Sequence, residues 1–241
     1  MNLNPSPVET WQIIKNNYRM FGFRATMRNA MLYMFSNAPE DQFDIKWGTY
    51  TSNHIGFADL GFTPEQMEAG RAYSATPSKL VSSILNDLKF NFSDFSYVDL
   101  GSGLGRTLML ASLYEFKKVE GVELSEVLVS ICNKNISIFS EKASVKSPIN
   151  VKNEDVLQYQ FPTGKTLVFM YDPFKPMLLA ECLKKIYRHC QSSPENEVYI
   201  VYVRSFHALP TFNELDFMKI IKHVQVISLD YSWSLYKICC S

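Results

Sequence analysis

Three glycines within seven residues carry the first chemical suggestion: Asp99-Leu100-Gly101-Ser102-Gly103-Leu104-Gly105, followed by Arg106. A glycine-rich turn lets main-chain atoms approach a ligand closely, because glycine has no Cβ and tolerates left-handed angles. The spacing is G-x-G-x-G, and Arg106 stands where a dinucleotide-binding G-x-G-x-x-G has its third glycine, which argues against NAD and FAD. No Lys-Ser or Lys-Thr pair follows the last glycine, so a Walker-type phosphate loop is excluded. Asp99, at the head of the loop, would repel a diphosphate and attract the ammonium of a methionyl group. Glu123 is placed to accept both hydroxyls of a ribose, and Asp155 to accept from an adenine amino group.

A second group, Tyr171-Asp172-Pro173-Phe174, closes an apolar run over residues 166–171. In an open α/β sheet the carboxyl ends of the strands border the ligand crevice, so an acid and an aromatic ring there face whatever reacts. His207, after the fifth strand-like run, could remove a proton from an acceptor or be an ordinary loop histidine. The five cysteines (Cys132, Cys182, Cys190, Cys239, Cys240) form no C-x-x-C pair and have no histidine at ligand spacing, so they are expected to be reduced core thiols, with no metal.

These residues must be positioned by alternating strands and helices. From residue 76 onward, helix-period apolar segments alternate with short β-branched or aromatic runs, the pattern of βαβ units and a parallel sheet. Thr76 is expected to cap a helix with Pro77 at its first position and Leu80, Val81, Ile84, Leu85 and Leu88 on one face. Strands are expected at residues 97–100, ending at Glu123, at 149–152, 166–171 and 198–203. The helix bearing Leu104, Leu108 and Ala111 follows the glycine loop, Ser125 caps the next, and Leu179, Cys182, Leu183, Ile186 and Cys190 form a buried stripe. Residues 223–230 and 231–238 alternate with little room between them and should pair as an antiparallel hairpin. Ahead of this core, residues 8–35 suggest an amphipathic helix with Lys15, Arg19, Arg24 and Arg28, either a solvated basic face or a docking surface for the acceptor. Residues 37–61, with Pro39, Asn53 and Gly56, read as a loop or lid.

With the motifs set out, the chain resembles a known family. Asp99-Leu-Gly-Ser-Gly-Leu-Gly105 followed by Gly121-Val-Glu-Leu-Ser125 resembles the first two motifs of the class I S-adenosylmethionine-dependent methyltransferases, and Asn153-Glu154-Asp155-Val156 resembles their adenine-contacting motif. The resemblance spans residues 73–238 and implies a Rossmann-like, mostly parallel seven-stranded sheet with an antiparallel C-terminal hairpin. It implies two parts, an N-terminal helical or lid segment over residues 1–75 and an S-adenosylmethionine-binding domain over 76–241. It further implies that Gly101, Gly103 and Gly105, with Ser102 between them, wrap the methionyl end, that Glu123 and its neighbour Leu124 hold the ribose, and that Asp155 with Val156 flanks the adenine. Tyr73 and Thr76-Pro77 resemble a segment that in many relatives closes over the methionyl group.

Tyr171-Asp172-Pro173-Phe174 resembles the Asn/Asp-Pro-Pro-Tyr motif of methyltransferases acting on amino groups. Carried over, Asp172 orients the acceptor and Phe174 forms a wall, although Phe174 replaces the second proline and Lys175 follows it. The D-L-G-S-G loop is also shared with non-SET histone lysine methyltransferases. The acceptor expected on these grounds is an amino group, on a protein lysine, a small molecule or a nucleobase. Methyl transfer would be an in-line displacement that asks mainly for positioning. An inactive scaffold that keeps the cofactor site stays open as a different reading.

Equal numbers of acidic and basic residues give a formal net charge of zero, so no global field recruits nucleic acid, and a protein or small-molecule acceptor is favoured. No apolar stretch approaches the roughly 20 residues of a bilayer span. No basic start followed by an apolar run marks a secretion signal, and the expected location is cytoplasmic.

Overall fold

β1 (Phe95–Leu100) is buried along its whole length, because it is an interior strand of a sheet covered on both faces. The computed structural model describes residues 42–52, 55, 57–204, 208–224 and 231–239, with Phe23 and Met27. Apart from those two residues, the helix expected over residues 8–35 lies outside the described residues, as do Pro39, Asn53, Gly56, His207 and Cys240.

The other strands are β2 (Lys118–Glu123), β3 (Ile149–Asn153), β4 (Lys165–Tyr171), β5 (Glu197–Val203), β6 (Met218–Val224) and β7 (Trp233–Ile238). They form one seven-stranded sheet in the order β3-β2-β1-β4-β5-β7-β6. β1 to β5 pair in parallel, and β7 runs antiparallel to both β5 and β6. The chain moves outward from β1 in one direction through β2 and β3 and then returns to β4 on the other side, so a crevice opens at the carboxyl ends of β1 and β4.

Alternation along each strand divides the core in two. Tyr97, Val119, Leu167, Phe169 and Val201 pack on the side of α3 (Ser78–Asp87), α4 (Arg106–Ala111) and α5 (Glu126–Lys142). Val98, Leu100, Val168, Met170 and Ile200 pack against α6 (Pro176–Gln191) and α7 (Leu209–Asn213). The expected stripe Leu179, Cys182, Leu183, Ile186 and Cys190 is the buried face of α6, and Ser125 caps α5 by accepting from the Leu128 N–H. Each strand buried on both sides reads as a continuous apolar run, as parallel strands do.

Several boundaries differ from expectation. Thr76 does not cap α3; Pro77 holds the cap position, and the Thr76 carbonyl instead accepts from Arg106 Nη1 at 3.3 Å. Leu104 lies in the turn before α4 rather than in the helix. The first strand of the C-terminal hairpin starts at Met218, five residues before the expected 223, and is described to Val224, with residues 225–230 outside those described; β6 is an edge strand whose Ile220 and Ile221 are half exposed and whose register slips between Ile220 and Lys222. Cys132, Cys182 and Cys190 are buried thiols, but Cys239 is exposed, since it follows the end of β7.

The region read as a plain loop or lid contains the short helix α1 (Phe43–Trp47) and a 3-10 turn at Phe57–Leu60, and α2 (Pro64–Ala69) follows with a complete Thr63–Gln66 capping box. Residues 44–52 are fastened to the domain by buried polar groups. Arg106 donates from Nε to Thr51 Oγ1 at 2.7 Å and from Nη2 to Ser52 Oγ at 2.6 Å, and lies 3.6 Å from Asp44. Asn135 on α5 accepts from the Tyr50 N–H and donates to both the Tyr50 and Leu104 carbonyls. Burial alone would raise the Asp44 pKa, but hydrogen bonds from Thr49, Thr51 and Ser52 hold it below the usual value.

Arg106→Ala should therefore loosen the cap. Loss of three charge-assisted hydrogen bonds from a buried guanidinium is expected to cost about 2–4 kcal/mol, lowering the melting temperature by roughly 5–12 °C for a chain of this size. Arg106→Lys should recover little of it, because a single ammonium cannot reproduce the fork. A thermal melt that moves by less than 2 °C, within about half a kcal/mol, would show that the cap is held by other contacts.

Candidate active site

A cavity of about 320 Å³ opens at the carboxyl ends of β1, β2, β4 and β5. Tyr73, Thr76, Asp99, Gly101, Ser102, Gly103, Glu123, Leu124, Asp155 and Val156 all line it, and so do Tyr171, Asp172, Pro173 and Phe174. Gly105 does not. It turns the chain into α4 with its α-carbon facing α5, where an added Cβ would stand 2.4 Å from Cys132 Sγ.

The loop's amides are already engaged. The Gly101 and Ser102 N–H groups donate to the Val122 carbonyl at 2.9 and 3.2 Å, the Gly103 N–H to Glu123 Oε2 at 3.0 Å and the Gly105 N–H to the Ser102 carbonyl at 3.0 Å. A phosphate-binding loop needs such donors turned outward. What this loop brings to the cavity instead is acid. Asp99 and Glu123 are only 3 and 7% exposed, and among the described residues no cation pairs with either.

Burial raises the Asp99 pKa to about 7, with the Thr107 hydroxyl bond pulling it down and Glu123 pushing it up. Burial raises Glu123 as well, against hydrogen bonds from the Ser125 and Gly103 amides. Two buried carboxylates without cations are costly unless a ligand brings positive charge or hydroxyl donors.

Tyr73 roofs the loop. Its hydroxyl donates to the Thr51 carbonyl at 2.7 Å, and its ring fills the space over Gly103, where an added Cβ would sit 2.3 Å from Cε2. Asp155, at the mouth, is exposed and accepts from the Leu157 N–H at 2.8 Å, while Val156 beside it is buried.

The far end of the cavity is strained. Asp172 and Arg204, which follow β4 and β5, are the two non-glycine residues with positive φ among those described, at 45° and 61°. Such conformations cost on the order of 1–3 kcal/mol each and persist where the surroundings enforce them. Asp172 is enforced on both oxygens: the Tyr202 hydroxyl donates to Oδ1 at 2.8 Å, and Arg71 Nε lies 3.1 Å from Oδ2. The main chain is tied there too, since the Arg71 N–H donates to the Pro173 carbonyl at 3.1 Å and the Lys175 N–H to that of Ala69 at 2.9 Å. Arg204 spreads its guanidinium 4.7 Å above the Tyr171 ring.

Arg71, Tyr202 and Arg204 were not legible as site residues. Arg71 stands two positions before Tyr73 and so shared its segment, but nothing in the spacing marked it, and Tyr202 sat inside a run that reads as pure packing.

The family model for histone methylation protein DOT1 matches residues 66–158, the stretch from α2 through the glycine loop to just past Val156. The chain has the seven-stranded, Rossmann-like methyltransferase fold. Solved structures similar to it include a SAM-dependent methyltransferase from Aquifex aeolicus, 14% identical over 68% of this chain and 94% of that one, with a TM-score of 0.49. Magnesium protoporphyrin IX methyltransferase from Synechocystis PCC 6803, with bound SAM, is 14% identical over 100% of both chains, with a TM-score of 0.48. An RNA methyltransferase from Salinibacter ruber in complex with S-adenosyl-L-homocysteine is 15% identical over 68% of this chain and 91% of that one, with a TM-score of 0.46. No curated protein sequence matches the chain. Among the described residues no helix is long and apolar enough to cross a membrane.

Proposed function

We propose that the protein transfers a methyl group from S-adenosylmethionine to an amino group, on a protein lysine or a small amine. The observation that carries the cofactor half of this reading is the pair of buried carboxylates, Asp99 and Glu123, which face one cavity with no cation on either among the described residues. Asp99 suits an ammonium, Glu123 suits paired ribose hydroxyls, and Asp155 with Val156 forms a polar and an apolar side for adenine. Ser102 Oγ is buried without a hydrogen-bond partner among the described residues, and a polar ligand in the cavity would supply one. Tyr73 closes the roof over the methionyl end. The donor, when bound, supplies a methyl group on a sulfonium, displaceable by a nucleophile lying opposite.

For the acceptor, the support comes from the end of β4. Phe174 and Leu178 form an apolar wall that would desolvate an entering amine and lower its pKa, favouring the neutral form that can attack. Asp172 borders the cavity beside that wall, where its carboxylate would accept from an amine N–H. The match to the histone methylation protein DOT1 family model supports a protein acceptor over a nucleobase, as does a formal net charge of zero.

Incubating the protein with heavy-methyl S-adenosylmethionine and a cell extract, followed by mass spectrometry, tests this directly. Label is expected on amine nitrogen. Label on oxygen or on a ring carbon would overturn the amine acceptor, and no label on any component would overturn the enzyme.

A further inference from the structure

Tyr202 stands in a strand built for packing, and its hydroxyl adds nothing to the packing. The ring is 0% exposed and meets Phe212 edge-on, with centroids 5.1 Å apart at 85°, and Phe212 in turn lies 4.3 Å from the Tyr236 ring. Phenylalanine would fill the same space. A phenol buried this deeply needs a partner for its O–H, and the partner is Asp172 Oδ1 at 2.8 Å.

The strand register brings the two together. Tyr202 pairs with Met170 of β4, both side chains pack on the α6 side of the sheet, and Asp172 follows Met170 by two positions, just past the end of the strand. There the chain turns with a φ of 45° at Asp172, a conformation that persists only where its surroundings enforce it. The two groups on the carboxylate differ in how firmly they are held. Arg71 Nε, 3.1 Å from Oδ2, belongs to a side chain that is 33% exposed on the segment after α2, whereas Tyr202 is rooted in an interior strand.

The phenol is also a constant donor. Burial, together with the charge and the hydrogen bond of Asp172, raises its pKa far above the ordinary tyrosine value, so it keeps its proton at any working pH. Tyr202 does not line the cavity, while Asp172 does. Whatever the hydroxyl does for a ligand therefore passes through the carboxylate.

Resting on the amine-acceptor reading of this site, we propose that Tyr202 is a positioning residue for methyl transfer, its core-held hydroxyl aiming the Asp172 carboxylate at the acceptor's N–H. Aim decides the rate because the attacking lone pair must lie in line with the bond between methyl carbon and sulfur. An amine that donates an N–H to a fixed carboxylate has the direction of its lone pair set by that carboxylate. A misplacement of about 1 Å at such a contact can cost about a hundredfold. Donor affinity has no such dependence on the hydroxyl, since the acids that suit the donor, Asp99 and Glu123, stand at the ends of other strands.

Tyr202→Phe tests this by deleting one oxygen and keeping the ring. Initial rates of heavy-methyl incorporation onto amine nitrogen of cell-extract proteins, with S-adenosylmethionine varied, give the turnover and the donor KM, and calorimetry with S-adenosylhomocysteine measures the donor site by itself. The variant is expected to melt cooperatively, to bind S-adenosylhomocysteine as the wild-type protein does, to keep the donor KM, and to transfer methyl groups roughly 10- to 100-fold more slowly.

Transfer at the wild-type rate would overturn the assignment. So would a loss of transfer matched by an equal loss of S-adenosylhomocysteine affinity, or a melt that is no longer cooperative, because the hydroxyl would then be holding the fold rather than the acid. Wild-type protein that binds S-adenosylhomocysteine but labels no amine would sink the acceptor reading and this inference with it, leaving the cofactor reading intact.

Discussion

At pH 8, Asp99→Asn is expected to bind S-adenosylhomocysteine at least about a hundredfold more weakly than the wild-type protein, while melting no lower. The two halves of that result have one cause. In the free protein the Asp99 carboxylate is buried with no cation against it among the described residues, and burial raises its pKa to about 7. The folded state thus keeps a proton that the unfolded chain, with a carboxyl pKa of 3.8, has already released. Between those values stability falls as pH rises: the contribution is fully present below pH 3.8 and gone above about pH 7. Asparagine removes the ionisation and keeps an oxygen for the Thr107 hydroxyl, so nothing is lost from the free fold.

The bound state reverses the balance. An ammonium against Asp99 requires the ionised form, so wild-type affinity should climb about tenfold per pH unit until pH 7 is reached. It should then stay level until the ligand's α-amino group loses its proton at alkaline pH. Calorimetric titrations from about pH 5.5 to about 9 would trace the acid limb, which should be missing from Asp99→Asn. Equal wild-type affinity at pH 5.5 and 7.5 would refute the ammonium contact.

What the sequence disclosed and what it hid divide along physical lines. The glycine loop, Glu123, Asp155 and the Asp172 turn were readable because the fold places them at successive strand ends, and each strand is a run of apolar residues buried on both faces. The sheet and the α6 stripe were readable for the same reason. The cap over residues 44–52 was not, because it is held by side-chain bonds from Arg106 and Asn135 that span more than fifty positions and leave no period in the chain. Arg106 was noticed only for what it excludes; its positive role depends on Thr51 and Ser52, which no spacing rule connects to it. β6 was misplaced because the edge of a sheet need not alternate: its Lys219, Ile220, Ile221 and Lys222 are all outward or partly so, and the more regular stretch after them attracted the assignment. Likewise Tyr202 looked like one more aromatic in an interior strand, and only the turn at Asp172 gives its hydroxyl a purpose.

The second large effect belongs to Gly103, and a double-mutant cycle with Tyr73 isolates it. Gly103 has φ +53, and an added Cβ would stand 2.3 and 2.5 Å from two ring carbons of Tyr73. The ring cannot simply swing away, since its hydroxyl is anchored on the Thr51 carbonyl, in the segment that Arg106 fastens down. Gly103→Ala is therefore expected to destabilise the protein by about 2–4 kcal/mol, of which the left-handed backbone accounts for about 1–2 and the clash for the rest. It should also abolish detectable S-adenosylhomocysteine binding, because either the loop or its roof must move out of register. Tyr73→Ala alone should weaken the ligand while leaving the loop in place. In the Tyr73→Ala background, Gly103→Ala should cost only the backbone term, so the cycle closes with a coupling of about 1–2 kcal/mol. Additive effects of the two substitutions on chemical denaturation would mean that the ring does not cover the loop in solution. The roof over the methionyl end would then have to be assigned to another part of the chain.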